Sequence, residues 1–357
     1  MILQGGRIFD TEGNLQPNSD SVQVGTRETT DEFEIVHLSD TAVIFAGGLV
    51  DYHLHLQGEA DAIGVDEREI LQSGVLSVGD AGTYGWQNWE QRGETQIVRS
   101  RGWVSLVAEG LTHHPEVPVF TGLDDAAVAR LLQLFADKTG IFRPVGLKIR
   151  LGQHDVQEDE RLLAEGVRHS RELQVPLMVH LTGTFLPLRE VVGALTCGDV
   201  LTHIYHGRRG NILHQGKLAS AMGDAVAKGV VLDVGHGKNH FSWHVFRTAL
   251  REGLLPTTVS TDLTRNTWNS APVYNLPYVI SKLLAAGMSW SEVYKDVVQN
   301  PSQLLNLERR NDGVTVLDFY EHAEAFADAE GATVAGTGTW RPVLVVAGAL
   351  VLKNHVE

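Results

Sequence analysis

From Gly48 to Leu263 the chain repeats one pattern eight times: a short apolar run, a Gly or polar break, then a stretch suited to a helix or loop. The runs are "GLVDYHLHL", "GVLSVGDAG", "GWVSLVAEG", "PVGLKIRLG", "PLMVHLTG", "DVLTHIYHG", "GVVLDVGHG" and "LPTTVSTDL". Short, β-branched-rich runs bounded by Gly and Pro read as buried strands. Between them, "DDAAVARLLQLFADKT" (Asp124–Thr139), "ERLLAEGVRHSREL" (Glu160–Leu173) and "KLASAMGDAVAKG" (Lys217–Gly229) read as helices, and Asp124 is placed to cap the first. Alternating strands and helices of this kind fold as an α/β protein, a parallel (β/α)8 TIM-like barrel.

The flanks read differently. Met1–Phe45 and the last forty or so residues are strand-like text with Gly and Asp punctuation, whereas Ala271–Gly287 and Ser289–Leu305 are helical. Strands at both ends predict that the termini pair into one small β-sandwich. The expected division is 1–46 with 315–357 as the β-domain and 47–314 as the barrel.

The chain has 357 residues, 43% of them hydrophobic, ample for a large core. A formal charge of -15 argues against nucleic acid or an anionic membrane as partner. Cys197 is the single cysteine, so no internal disulfide forms, which fits a reducing compartment. The start lacks a long apolar signal segment, and the apolar run Val343–Leu352 is too short to span a bilayer. The expectation is a cytoplasmic protein acting on a small molecule, with homo-oligomerisation left open.

Barrel chemistry sits at the C-terminal ends of the strands. There the sequence places His53 and His55, Asp80, Lys148, His180, His203, His236 and Asp262. His53 and His55 are two apart on one strand and so share a face. Imidazoles and carboxylates ligate zinc and similar divalent ions. Each residue also has an ordinary reading. An alternating His pair occurs on any half-exposed strand. His180 and His203 suit a core, and Asp262 suits a helix cap in competition with Ser260 and Thr261. Lys148 lies between Leu147 and Ile149 on a buried strand, which disfavours a solvated role.

The segments "GLVDYHLHL", "GLKIR", "MVHLTG", "LTHIYHG" and "STDL" resemble the ordered ligand set of the amidohydrolase superfamily. More narrowly, "DAGTYG", "LDVGHG", "STDLTRN", "SKLLAAGMSWSEV" and "NPSQLLNL" resemble its amidohydrolase/deacetylase branch of metallo-dependent hydrolases. One departure is Gly47, which stands where that family carries proline.

The resemblance implies two divalent metal ions, zinc by expectation. His53 and His55 would hold the more buried ion with Asp262, and His180 and His203 the more exposed one. Lys148, carbamylated by carbon dioxide, would bridge them. A hydroxide between the ions is then the nucleophile, and Asp262 is the catalytic base and acid. The implied reaction cleaves an amide or ester of a small acylated acid. Alternatives are a cyclic-amide hydrolase of dihydroorotase or hydantoinase type, an isoaspartyl-type dipeptidase, a one-metal deaminase-like enzyme, and a non-catalytic member that keeps the fold.

Candidate substrate contacts are His236, Arg150 and His206, each with a bland alternative in backbone hydrogen bonding or surface exposure. Arg208 and Arg209 read better as surface. Asp80 reads as a loop-holding residue, and Phe241 and Trp243 as core. The pair His113–His114 falls on a loop after the third strand.

Overall fold

The computed structural model describes residues 1–25, 34–58, 63–93, 95–114, 116–137, 143–308 and 310–354. Lys138 and Thr139 of one expected helix, and residues 26–33 and 355–357 of the expected β-domain, lie outside the described residues.

Seven strands pair in sequence order, each parallel to the next: Leu49–Leu54, Val75–Asp80, Arg99–Ser105, Arg143–Arg150, Leu177–His180, Val200–Thr202 and Val231–Asp233. The eighth run closes the ring without forming a regular strand. Thr258 bridges to Asp233 and Leu263 to Leu54. Backbone hydrogen bonds fill both edges, from His236 N to Ser260 O at 3.0 Å on one side and from Asp262 N to His53 O at 2.7 Å on the other. Pro256 offers no donor, and Asp262 has φ of 50°, outside the extended range. Both features break a ladder while leaving the barrel closed.

Val50, Tyr52, Trp103, Met178, Val200 and Val231 form one buried cluster from strands around the whole ring, joined by Leu305 and Leu307. Contacts across the ring place this cluster inside the barrel, beneath the rim. A larger apolar layer joins the strands to the surrounding helices. Asp124 caps the Asp125–Ala136 helix, accepting from Ala127 N at 2.8 Å. The next helix starts earlier than its apolar pattern, at Val156, because Asp155 supplies the cap. The expected helix from Lys217 begins at Ser220, since Lys217–Leu218 pairs with Leu213–His214 as a small hairpin.

The termini share a six-stranded sheet. In spatial order it runs Leu350–Lys353, Thr333–Ala347, Gly313–Ala327, Val43–Ala46, Arg7–Phe9 and Leu15–Pro17. Ile2–Gln4 pairs with Val22–Gln23 and Ile35–His37 in a second, smaller sheet. The architecture is thus a TIM-like barrel with a β-sandwich built from both ends. The long hairpin of Gly313–Ala327 and Thr333–Ala347 reaches back to the barrel, where Trp243 Nε1 donates to Phe326 O at 2.7 Å. Among the described residues, no helix is long and apolar enough to cross a membrane.

Candidate metal centre

His53, His55, Lys148, Arg150, His180, His203 and Asp262 line one cavity at the C-terminal rim, joined by His240. Strand register explains part of the convergence. His180 lies opposite Arg150, and Lys148 opposite Ser105 on the other side. Gly82, at φ of 89°, leaves room for Lys148: a Cβ there would stand 2.9 Å from the lysine Cγ. His203 and Asp262 are non-glycine residues in the left-handed region, at φ of 63° and 50°. Such backbone costs about 1 kcal/mol or more and persists where surroundings impose it. Here the His53 carbonyl holds Asp262 N, and Gly235 O accepts from His203 Nδ1 at 2.6 Å.

Four histidines direct Nδ1 away from the cavity centre. His53 Nδ1 meets Asp233 Oδ2 at 3.1 Å and Thr202 Oγ1 at 2.9 Å. His55 Nδ1 donates to Thr83 Oγ1 at 2.8 Å, whose hydroxyl donates to Asp80 Oδ2 at 2.7 Å. His203 uses Gly235 O, and His240 Nδ1 lies 2.9 Å from Thr182 Oγ1. Partners of this kind fix the tautomer and leave the other nitrogen free to ligate. The Nε2 atoms of His53 and His55 both lie close to Asp262 Oδ1, at 3.3 and 3.1 Å. Nε2 of His240 is 3.7 Å from Asp262 Oδ2.

Two ligand-ready triads result, His180–His203–His240 and His53–His203–Asp262, each with one donor atom per residue and all donors within 4.8 Å of each other. Burial keeps the His180 and His203 imidazoles neutral, well below their ordinary pKa. Burial also pushes His240 down to about 3, against the pull of Asp262. Burial raises the Asp262 carboxyl, but hydrogen bonds from His53 and His55 outweigh it and hold the group ionised. His53 is pushed down by burial and by Lys148, yet Asp233 and Asp262 together lift it above its usual value. The Lys148 amine is driven down to about 7, chiefly by burial. Its Nζ is buried with no hydrogen-bond partner among the described residues. A buried polar atom without a partner is costly. An amine so placed, ringed by imidazoles and a carboxylate, fits a site that takes up cations.

The cavity has two parts. The inner one offers about 30 Å³, the scale of small ions and a water rather than an organic substrate. Above it an outer cavity of about 150 Å³ is lined by His114, Arg150, Lys238, Asn266 and Thr267. Arg150 borders both parts, and its Nε is buried without a hydrogen-bond partner among the described residues.

Two expected substrate contacts, His236 and His206, lie outside the cavity. His236 is fully buried outside the cavity, stacked on Phe241 with ring centroids 4.6 Å apart and bonded to Gly237 O and Lys282. His206 is also fully buried, and its Nδ1 accepts from Arg208 N at 3.2 Å. Neither touches either part of the cavity. In its place the structure brings His240, four residues beyond His236. The sequence signals it only by its membership of the same Gly-rich loop. His114 borders the outer cavity, whereas His113 pairs with Glu109 on the surface. Asp80 holds the loop after its strand, accepting from Leu56 N, Gly82 N and Thr83 N. Arg209 donates to Gly183 O and covers Phe185, and Phe241 and Trp243 are core.

Barrel and rim together define a class: a (β/α)8 barrel of hydrolase type whose mouth carries side chains that could hold a metal ion. The chain is 28% identical over 341 residues to a protein of Enterococcus faecalis named a deacetylase, covering 90% of this chain and 89% of that one. It is 30% identical over 272 residues to a deacetylase of Brucella anthropi, covering 74% of this chain and 67% of that one. Among solved structures, a dihydroorotase matches with TM-score 0.83 and 26% identity over 99% of this chain and 98% of the other. An adenine deaminase matches with TM-score 0.78 and 26% identity over 99% of both chains. No family model matches. The chain belongs to the amidohydrolase superfamily and is an enzyme of it.

Proposed function

We propose that the protein is a two-metal hydrolase that removes a short acyl group from a small acid, as the names of its curated relatives suggest. The observation that carries this reading is the buried, partnerless Lys148 amine set among His53, His180, His203 and Asp262. A lone ion needs no bridge; two ions do. Nucleophilic attack of the Lys148 amine on carbon dioxide forms an N–C bond, releases one proton to water and leaves a carboxylate-like carbamate. His53, His55 and Asp262 would then hold one divalent ion, His180 and His203 the other, and the carbamate both. Zinc suits this set of nitrogen and oxygen donors. When bound, the ions acidify a water and polarise the substrate carbonyl.

The chain's own groups do the rest. Asp262, ionised and touching His53 and His55, takes the proton from the attacking water and returns it to the leaving oxygen or nitrogen. Arg150 faces the outer cavity, and its Nε has no hydrogen-bond partner among the described residues, which suits the carboxylate of an acidic substrate. The outer cavity has the size of a small molecule, which supports a small-molecule substrate. A second reading, cyclic-amide hydrolysis, draws support from the likeness to a dihydroorotase.

One experiment separates these. Purified protein is assayed for metal and for hydrolysis of N-acetyl amino acids, O-acetyl hydroxy acids, dihydroorotate and β-aspartyl dipeptides. About two divalent ions per chain and release of acetate support the proposal. Turnover of the cyclic amide alone, or a single ion per chain, overturns it.

A further inference from the structure

Lys282 is fully buried on the Leu276–Ala285 helix, far along the chain from any expected ligand. Its Nζ donates to Ala327 O at 2.6 Å, to Pro272 O at 3.3 Å and to His236 Nε2 at 2.7 Å. Three donors meet three acceptors from three separate segments, so the group is fully used. The amine also lies 5.2 Å from the Phe241 ring and 5.5 Å from that of Trp243. The nearby Asp328 carboxylate favours its charge, but none of its three hydrogen-bond partners is a carboxylate. A lysine buried at such cost calls for a reason.

The contact continues toward the rim. Gly237 O can only accept, so His236 Nδ1 carries the proton and donates to it at 3.0 Å. His236 Nε2 must then accept from Lys282. Gly237, at φ of 47°, packs directly on the site: a Cβ there would stand 2.4 Å from Asp262 Oδ2 and 2.5 Å from His240 Cδ2. Gly235 is also left-handed, at φ of 45°. A loop with two glycines has little stiffness of its own; its backbone is held to the eighth run by Ser260 and Thr261, and the His236 side chain by Lys282. The Lys282 contact extends to the terminal β-domain. Ala327 ends its long strand, and Asp328 beside it accepts from Trp243 N at 2.9 Å.

We propose that Lys282 is a positioning residue: acting through His236, it ties the terminal hairpin to the 235–240 loop and so fixes the placement of His240 and Asp262. The backbone of the loop stays held by Ser260 and Thr261, so loss of the tie acts through the side chain: the imidazole of His236 is free to change tautomer and turn, and the segment beyond Gly237 that carries His240 shifts with it.

The test uses K282M, K282R, H236F and the double variant K282M/H236F of the full chain. The first readout is the ring nitrogen signals of 15N-labelled histidines in the metal-free protein. The second is zinc affinity by chelator competition. In wild type, His236 carries its proton on Nδ1. K282M and H236F are each expected to shift the His240 signals and to weaken zinc binding about tenfold. K282R restores most of both, and the double variant is no worse than either single one, because the two residues act as one unit. Should K282M fail to fold, H236F carries the test, since it leaves the amine its two carbonyl partners. Unchanged His240 signals in a folded K282M or H236F overturn the proposal, as does strict additivity in the double variant. The nitrogen signals decide the matter even if the protein proves not to be a two-metal enzyme.

Discussion

Asp233 and His53 face each other at the floor of the site, with His53 Nδ1 3.1 Å from Asp233 Oδ2 and both residues fully buried. The carboxylate is saturated. Thr258 and Ser260 donate to Oδ1, each at 2.7 Å, and Thr202 donates to Oδ2 at 2.6 Å. In D233N an amide NH2 turned toward His53 meets two donors, the imidazole Nδ1–H and the Thr202 hydroxyl. His53 then favours the proton on Nε2, the nitrogen aimed at the ligand cluster. Metal affinity is expected to fall by about 10–100-fold, the usual cost of losing such a partner. Chelator competition measures it, and an affinity equal to wild type rules out the orienting role.

Removal of Lys148 tests the bridge directly. K148A should hold about one ion per chain instead of about two, and activity should drop with the metal. Millimolar propionate or a similar short carboxylate should restore part of both by occupying the vacated space. K148R should not recover, because a guanidinium stays protonated and does not form a carbamate. K148A with a full metal complement would sink the bridge.

Much of this site is legible in the letters because a strand imposes a period of two and a barrel imposes a common rim. His53, His55, Lys148 and His180 sit at or beside strand ends, where the period alone aims them. Loops carry no period. Between His236 and His240 the direction of the chain is set by Gly235 and Gly237, both in left-handed conformations that apolar patterning does not encode. The histidine nearest the strand end is thereby turned into the core, and the later one reaches the cavity. The eighth strand is legible as an apolar run but not in its irregular pairing, which follows from Pro256 and the φ of Asp262. Likewise the hairpin at Leu213–Leu218 hides inside text with helical spacing. The burial of Lys282 has no local signal, since two of its three partners are backbone carbonyls, which carry no residue type, and Ala327 lies in a distant segment.

His240 belongs to one of the two ligand-ready triads and not to the other. Replacing it with alanine should weaken uptake of one ion while leaving the second tightly held by His53, His55 and Asp262. A zinc titration of H240A should show one strong and one weakened step. Two unchanged steps would remove His240 from the ligand set.

Arg150 makes a prediction about substrate rather than metal. A buried charge-assisted hydrogen bond is worth about 1.5–3 kcal/mol, roughly 10–150-fold in binding. R150M is therefore expected to raise KM for an acylated acid by at least about tenfold with a smaller change in kcat. For the corresponding carboxamide, which lacks the anion, KM should change little. Equal losses on both substrates would place Arg150 in the structure of the rim instead of in recognition.

Far from the site, Asp296 carries a pH dependence of its own. It is 5% exposed, and its Oδ1 accepts from Asn300 Nδ2 at 3.3 Å while Oδ2 has no hydrogen-bond partner among the described residues. Burial, reinforced by the nearby Glu292, raises its pKa from 3.8 to about 8. Between those two values the folded protein holds a proton that the unfolded chain has released. Folding stability therefore falls as pH rises through this window, by up to about 1.4 kcal/mol per pH unit for this group, and levels off above pH 8. Asparagine has nearly the same shape and never ionises. D296N should match wild type in Tm only near and below pH 3.8, exceed it progressively as pH rises toward 8, and keep a constant lead beyond. Thermal unfolding of both proteins across that range measures the lead, and a difference independent of pH would show that the carboxyl is not protonated in the fold.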